Sequence, residues 1–269
     1  MPRSASSVAL PGIAVLLGLA LLVLPARADH ANNDPARNYA PGHAPAATAW
    51  YDILPAGALA AAVQADRDYV VKMRRHHAGA LSMSREYLAD PQGSSAVLKA
   101  LAQAIIANQS YEIALLDAVA RRLDEPARRI GFGLVLRPVG AEGLGEEWGV
   151  MQVPTPSRLD ALAGGPVTAR DVQFARAMSI HHQAALEMAR GYNADPAARN
   201  DFLRLLNVNI VTDQTQEIAL MGAVTRAYPG DAAAVPVPPD MVHGMEGMQD
   251  HGAAPGAAPD APGGHRHHH

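Results

Sequence analysis

MRRHHAGALSM, Met73–Met83, and MSIHHQAALEM, Met178–Met188, share one pattern, Met-x-x-His-His-x-x-Ala-Leu-x-Met, 105 positions apart. The same shift pairs Asp66 with Asp171, Tyr87 with Tyr192 and Asp90-Pro91 with Asp195-Pro196. Further on it pairs Gln109 with Gln214 and Glu112-Ile113-Ala114-Leu115 with Glu217-Ile218-Ala219-Leu220. No gap is needed from Asp66 to Val119. An ungapped match of this length marks an internal duplication.

Each copy reads as two helices around an Asp-Pro break. Helical patterning runs over 58–89 and 95–123, broken at Asp90-Pro91-Gln92-Gly93, and Asp66 opens a charged first turn. It resumes over 168–193 and 198–227, broken at Asp195-Pro196. Two helical hairpins in one chain pack most simply as an all-α four-helix bundle over 58–227, with repeats at about 58–123 and 168–227. The Gly/Pro/Val-rich segment 125–165 cannot hold a long helix and is expected to cross between the halves. Residues 29–57 have no helical or strand period and read as a flexible linker. From Tyr228 to residue 269 the composition is that of a disordered, Met/His-rich tail.

At about 100° per residue, Met73, His76, His77, Ala80 and Met83 fall in one sector of the first helix. Met178, His181, His182, Ala185 and Met188 take the matching face of the copy. On the partner helices Leu98, Leu101, Ile105, Gln109, Glu112 and Leu116 share a stripe, repeated as Leu203, Leu206, Ile210, Gln214, Glu217 and Met221. An inward carboxylate is costly unless paired. Imidazole is its natural partner, and a metal-bound His usually gives its other N–H to a carboxylate. Glu112 and Glu217 are therefore expected to orient the histidines, with direct ligation open. Met at helical spacing is ordinarily core filler. Two adjacent imidazoles near an apolar face are not, because each must be desolvated.

The chain opens with Arg3, an apolar run from Val15 to Leu24 and a small-x-small site at Ala26-Arg27-Ala28. These are the parts of a signal peptide over 1–28, and the run is short for a membrane span. The expected product is periplasmic or secreted, with no membrane span in its mature form. The formal net charge is −4, and it becomes more negative once Arg3 and Arg27 leave. A mildly acidic surface without a basic patch argues against nucleic acid. Cysteine is absent, so neither a disulfide framework nor an oxidisable thiolate is available.

The tail adds a second donor set. MVHGMEGMQDHG holds Met241, His243, Met245, Met248 and His251 in a stretch unable to form a core. Thioether and imidazole favour soft or borderline ions, Cu(I) above all, Ag(I) similarly, and Cu(II) through His. The terminal His265 and His267 to His269 are either a native metal-binding end or a purification remnant.

The repeated Met-x-x-His-His helix followed by a Gln-x-x-Glu-Ile helix resembles the bacterial family catalogued as domain of unknown function 305. The likeness covers about residues 58–227 and is sharpest over 171–221. It implies an exported, ferritin-like four-helix bundle, some of whose members are implicated in periplasmic copper binding and tolerance. Carried over by position, it implies ligands at Met73, His76, His77, Met83, Met178, His181, His182 and Met188. Met221 follows the family's usual Met after Glu217, whereas Leu116 stands in the first copy.

The leading expectation is thus a copper-binding protein, not an enzyme, that buffers or carries copper and exchanges it with other exported copper-handling proteins. Its affinity is expected to fall as pH drops through the His range. Two other classes stand beside it. A di-iron enzyme on this fold needs Glu-x-x-His on two helices, but Leu115 and Leu220 occupy the His positions. A copper redox enzyme remains open, while a Cys nucleophile, a Gly-x-Ser-x-Gly elbow and a phosphate-binding loop are all missing. The third class is a metal-free helical interaction module or a haem-holding bundle, the latter without the Cys-x-x-Cys-His of covalent haem.

Overall fold

Each Asp-Pro pair ends a helix, because a residue before proline is pushed out of the helical region. In the computed structural model, which describes residues 48–142, 153–157 and 165–245, helix α1 (Leu59–Ala89) stops at Asp90. Helix α3 (Ala169–Ala194) stops at Asp195. Asp90 accepts the Gln92 N–H at 2.9 Å and Asp195 the Ala197 N–H at 2.8 Å, so the two hairpin turns are built alike. The next helices begin at repeat-equivalent caps. Ser95 accepts from Leu98 N–H at the start of α2 (Ala96–Leu123), and Asn200 accepts from Leu203 N–H at the start of α4 (Asp201–Arg226).

The first helices of the two repeats start differently. α3 opens with a capping box between Thr168 and Asp171. α1 begins at Leu59, well ahead of Asp66, with no side-chain cap. Asp66 therefore does not open a first turn as its sequence suggests. It is a buried residue inside the helix.

The hairpins α1–α2 and α3–α4 pack with α1 antiparallel to α3. Tyr87 of α1 stacks on Phe174 of α3 at 4.1 Å and donates to Asp171 Oδ1 at 2.6 Å. The repeat-equivalent Tyr192 packs on Tyr69 at 4.4 Å and donates to Asp66 Oδ1 at 2.7 Å. Two apolar clusters result. One joins Met83, Tyr87, Leu101, Ile105, Phe174, Met178, Met221 and Val224. The other joins Tyr69, Met73, Leu116, Val119, Ala185, Tyr192, Leu206 and Ile210. Exchanging the repeats converts one cluster into the other. Each fully buried large side chain contributes about 1.5–3 kcal/mol, which sets the scale for what lies between the clusters.

A small sheet covers one end of the bundle. Strand β1 (Thr48–Pro55), β2 (Arg128–Gly131) and β3 (Leu134–Glu142) are antiparallel in the order β1-β3-β2. Residues 29–57 are thus not wholly a linker, nor is 125–165 a plain crossover. In β1, Asp52 and Leu54 are sheltered while Tyr51 and Ile53 are exposed, a short period-2 signal between Ala- and Pro-rich flanks. In β3 Val135 is buried between half-buried Leu134 and Leu136, and burial is continuous from Arg137 to Gly140, a pattern that a charged residue disguises. Pro138 also argues against a central strand. It is tolerated here because β2 pairs only as far as Leu136 and β1 shifts register at Trp50/Tyr51 beside it. The β2–β3 turn, Gly131-Phe132-Gly133, has positive φ at all three residues. Two glycines accept this readily, and Phe132 projects into solvent.

The described part of the tail, 228–245, is not disordered. Short 3-10 turns at Ala232–Ala234 and Pro239–Met241 lie along the bundle, and Val235 is buried in the first cluster. Pro-rich segments carry few backbone donors to satisfy, and here Arg176 takes up carbonyls of the segment. Residues 1–28, 29–47 and 246–269, with Met248, His251 and the terminal histidines, lie outside the described residues. Among those described, no helix is long and apolar enough to cross a membrane.

Candidate metal centre

Between the two apolar clusters lies a polar layer. His76, His77, His181 and His182 are each 0% exposed, with Glu112, Glu217, Gln109 and Gln214 also buried. The helices bring together the histidine, glutamate and glutamine positions of the two repeats. At the centre, the His76 and His181 rings stack with centroids 3.6 Å apart and planes 32° from parallel. His181 Nε2 lies 2.9 Å from the His76 carbonyl oxygen, so as the tautomer protonated there it donates to that backbone. Outside this pair, His182 Nε2 meets Glu217 Oε2 at 2.7 Å. His77 Nε2 lies 2.9 Å from Glu112 Oε2 but without hydrogen-bond alignment.

Three of the four rings thus turn Nε2 to an oxygen. On all four rings Nδ1 is buried without a hydrogen-bond partner among the described residues, as are both amide atoms of Gln109 and Gln214. Leaving such atoms unpaired costs about 1–3 kcal/mol each, so the layer is expensive against the apolar clusters beside it. Each glutamate thus lies against a histidine of its own repeat. The two carboxamides belong to the layer as well, and the repeated Gln-x-x-Glu spacing was their signal. At its edge, Asn108 exchanges hydrogen bonds with the Val153 backbone. Its repeat equivalent Asp213 has its carboxyl pushed up to about 6 by burial and then by Glu112 and Glu217.

The methionines stand apart from this layer. Met73 belongs to one apolar cluster and Met83 to the other, and the same holds for Met188 and Met178. Met221 lies with Met83, its Sδ 3.9 Å from Ser179 Oγ, while Leu116 holds the copy's position in the other cluster. The sulfurs of one repeat therefore flank the histidines from opposite sides. Met241 packs against the first cluster, Met245 is half-buried, and His243 Nδ1 lies 3.7 Å from Glu86 Oε1. Among the described residues, no three His, Asp or Glu side chains converge as a ready-made metal cage.

Burial, and then the neighbouring rings, hold His76 and His181 well below the ordinary imidazole value of 6.5. Both are neutral, as a metal ligand must be. In the unfolded chain they titrate near 6.5, so below that pH unfolding takes up protons. Their stabilising contribution is therefore complete above about 6.5 and declines as pH falls. An H76L/H181L variant should gain on the wild type between about pH 7.5 and 5, by up to about 1.4 kcal/mol per pH unit for each ring. Urea midpoints measure this, and parallel pH profiles would place the rings in contact with water.

A family model described as Domain of unknown function (DUF305) matches residues 28–120 and again residues 137–226. No curated protein and no solved structure matches the chain.

Proposed function

The chain belongs to the DUF305 family, and from that premise we propose that it is an exported copper-binding protein which buffers or carries Cu(I). One observation carries the reading. Among the described residues four buried imidazoles have no hydrogen-bond partner at Nδ1, and on three of them Nε2 is turned to Glu112, Glu217 or the His76 carbonyl. A carboxylate or carbonyl behind a ligating imidazole fixes its tautomer and raises its basicity. Thioethers on both sides and the lack of any thiol favour a soft ion taken without sulfur oxidation. Because His76 and His181 stay neutral well below 6.5, protons compete for these rings only at lower pH. Loading requires the stacked rings to turn, since no three of these side chains converge as they stand. The signal-like residues 1–28 support export, and copper-handling exported proteins are the partners in keeping with it.

The 3.6 Å stack favours a second reading. In it the layer is metal-free and fixes the register of the two hairpins, a role open to buried polar groups. Cu(I) titration against a competing chelator, with elemental analysis of the exported protein, separates the two. One variant replaces the four layer histidines, Glu112 and Glu217 by Leu, leaving no carboxylate stranded. The other replaces Met241, His243, Met245, Met248 and His251 by Ala. Copper lost from the layer variant, with helicity retained, supports the proposal. Copper lost only from the tail variant moves the site to the tail and leaves the layer to the second reading.

A further inference from the structure

The tail docks where the repeats differ. Arg176 Nη1 donates to Ala232 O at 2.9 Å and Ala233 O at 3.2 Å, and also to Val235 O. Gln173 Nε2 donates to Pro236 O at 3.0 Å. Their repeat equivalents are Val71 and Asp68, both exposed. Further along, the tail crosses α1 at Gly79, where the second repeat has Ala184. A Cβ on Gly79 would meet His243 O at 2.5 Å and Gly244 N at 2.9 Å, both backbone atoms. A Cβ on Gly244, whose φ is 72°, would likewise meet Arg75 O at 2.9 Å and His76 O at 3.2 Å. A mid-helix glycine is unfavourable by itself, and the crossing accounts for it. The carbonyl of His76 under Gly244 is the one that faces His181 Nε2.

The donors in the docked tail point to separate partners. Met241 and Val242 lie against the first apolar cluster, and His243 is turned to Glu86. An ion gathering Met241, His243 and Met245 must pull Met241 out of that cluster. Resting on the copper reading, we infer that residues 239–245 are a strap over the α1 side of the histidine layer, released when a soft cation is captured by the tail. Ion capture and docking compete for the same residues, so the tail both receives the ion and uncovers the backbone of His76.

Hydrogen exchange on the full chain, with and without Ag(I), tests this beside equilibrium dialysis of Ag(I). In the wild type, amides of 240–245 should be protected without the ion. On Ag(I) binding they should lose protection by about tenfold or more, together with residues 75–79. G79A, which restores the residue of the second repeat, should lack tail protection from the outset and keep its helicity. R176A should do the same from the other anchor. If the wild type binds Ag(I) with protection unchanged, the strap is overturned and the copper reading stands. If G79A and R176A protect the tail as the wild type does, the docking account is overturned. If no Ag(I) is retained, both the reading and the strap fall.

Discussion

Arg137→Ala should lower the stability of the chain by about 3–5 kcal/mol, the cost of leaving a buried charge without its partner. Arg137 is buried on β3, and its Nη2 lies 2.8 Å from Asp66 Oδ2. Asp66 is fully buried and also accepts the Tyr192 hydroxyl. In the second repeat the equivalent Asp171 caps its own helix and accepts from backbone N–H groups of Thr168, Ser94 and Ser95. Asp66, inside α1, has the strand arginine instead. Asp52 lies 3.9 Å from the same guanidinium and has its carboxyl pushed up to about 6 by burial and then by Asp201. Without the arginine, Asp66 and Asp52 share one low-dielectric site.

The pH dependence has a definite sign. The Asp66 carboxyl is raised by burial even with Arg137 beside it, and it rises further when the cation is removed. Folded R137A then holds protons that the unfolded chain has released, so its stability falls as pH rises through the folded values. The penalty should be largest near neutrality and shrink as pH falls, vanishing only below the unfolded carboxylate value of 3.8, where both states are protonated. Pairing R137M with D66N should recover most of the loss. Denaturant midpoints measure all three chains. A cost below about 1 kcal/mol for R137A, as for an exposed pair, would show that this contact does not hold the sheet to the bundle.

His182→Ala should cost a similar amount, about 3–5 kcal/mol, by leaving Glu217 buried without its imidazole partner. Glu217 is 2% exposed and faces His182 Nε2 at 2.7 Å. Replacing both partners, H182L with E217L, removes the charge together with its counterpart, and such swaps are often neutral or stabilising. The single variant should therefore be far less stable than the double. A double variant that keeps the fold but loses copper would separate binding from folding at this pair. If single and double variants lose the same stability, the His182–Glu217 contact is not an energetic unit.

The helices were legible because their limits are written locally. Asp90-Pro91 and Asp195-Pro196 end helices by backbone sterics, and Ser95 and Asn200 cap the next ones within a few residues. The inward face was legible because helical period and duplication agree. Which member of each vicinal pair meets a carboxylate was not, since His76 and His77 differ by one helical step and only packing decides. The stack of His76 on His181 arises from crossing two copies in space, a contact between residues 105 apart. Arg137 reads as a surface residue until Asp66, far away in sequence, is placed against it. The tail reads as disorder because its anchors, Arg176 and Gly79, lie in another part of the chain. Repeat comparison does flag them, as Arg176 against Val71 and Gly79 against Ala184.

The most direct measurement is nitrogen NMR of the intact chain with labelled histidine, titrated with Ag(I) as a diamagnetic stand-in for Cu(I). If the layer holds the ion, the Nδ1 resonances of buried rings among His76, His77, His181 and His182 should shift in stoichiometric slow exchange. The Nε2 signals of His77 and His182, which lie outside the stack, should keep the signature of the carboxylates beside them. If only tail histidines respond while the four buried rings stay unmoved, the duplicated motif is a structural layer and the copper site is not there.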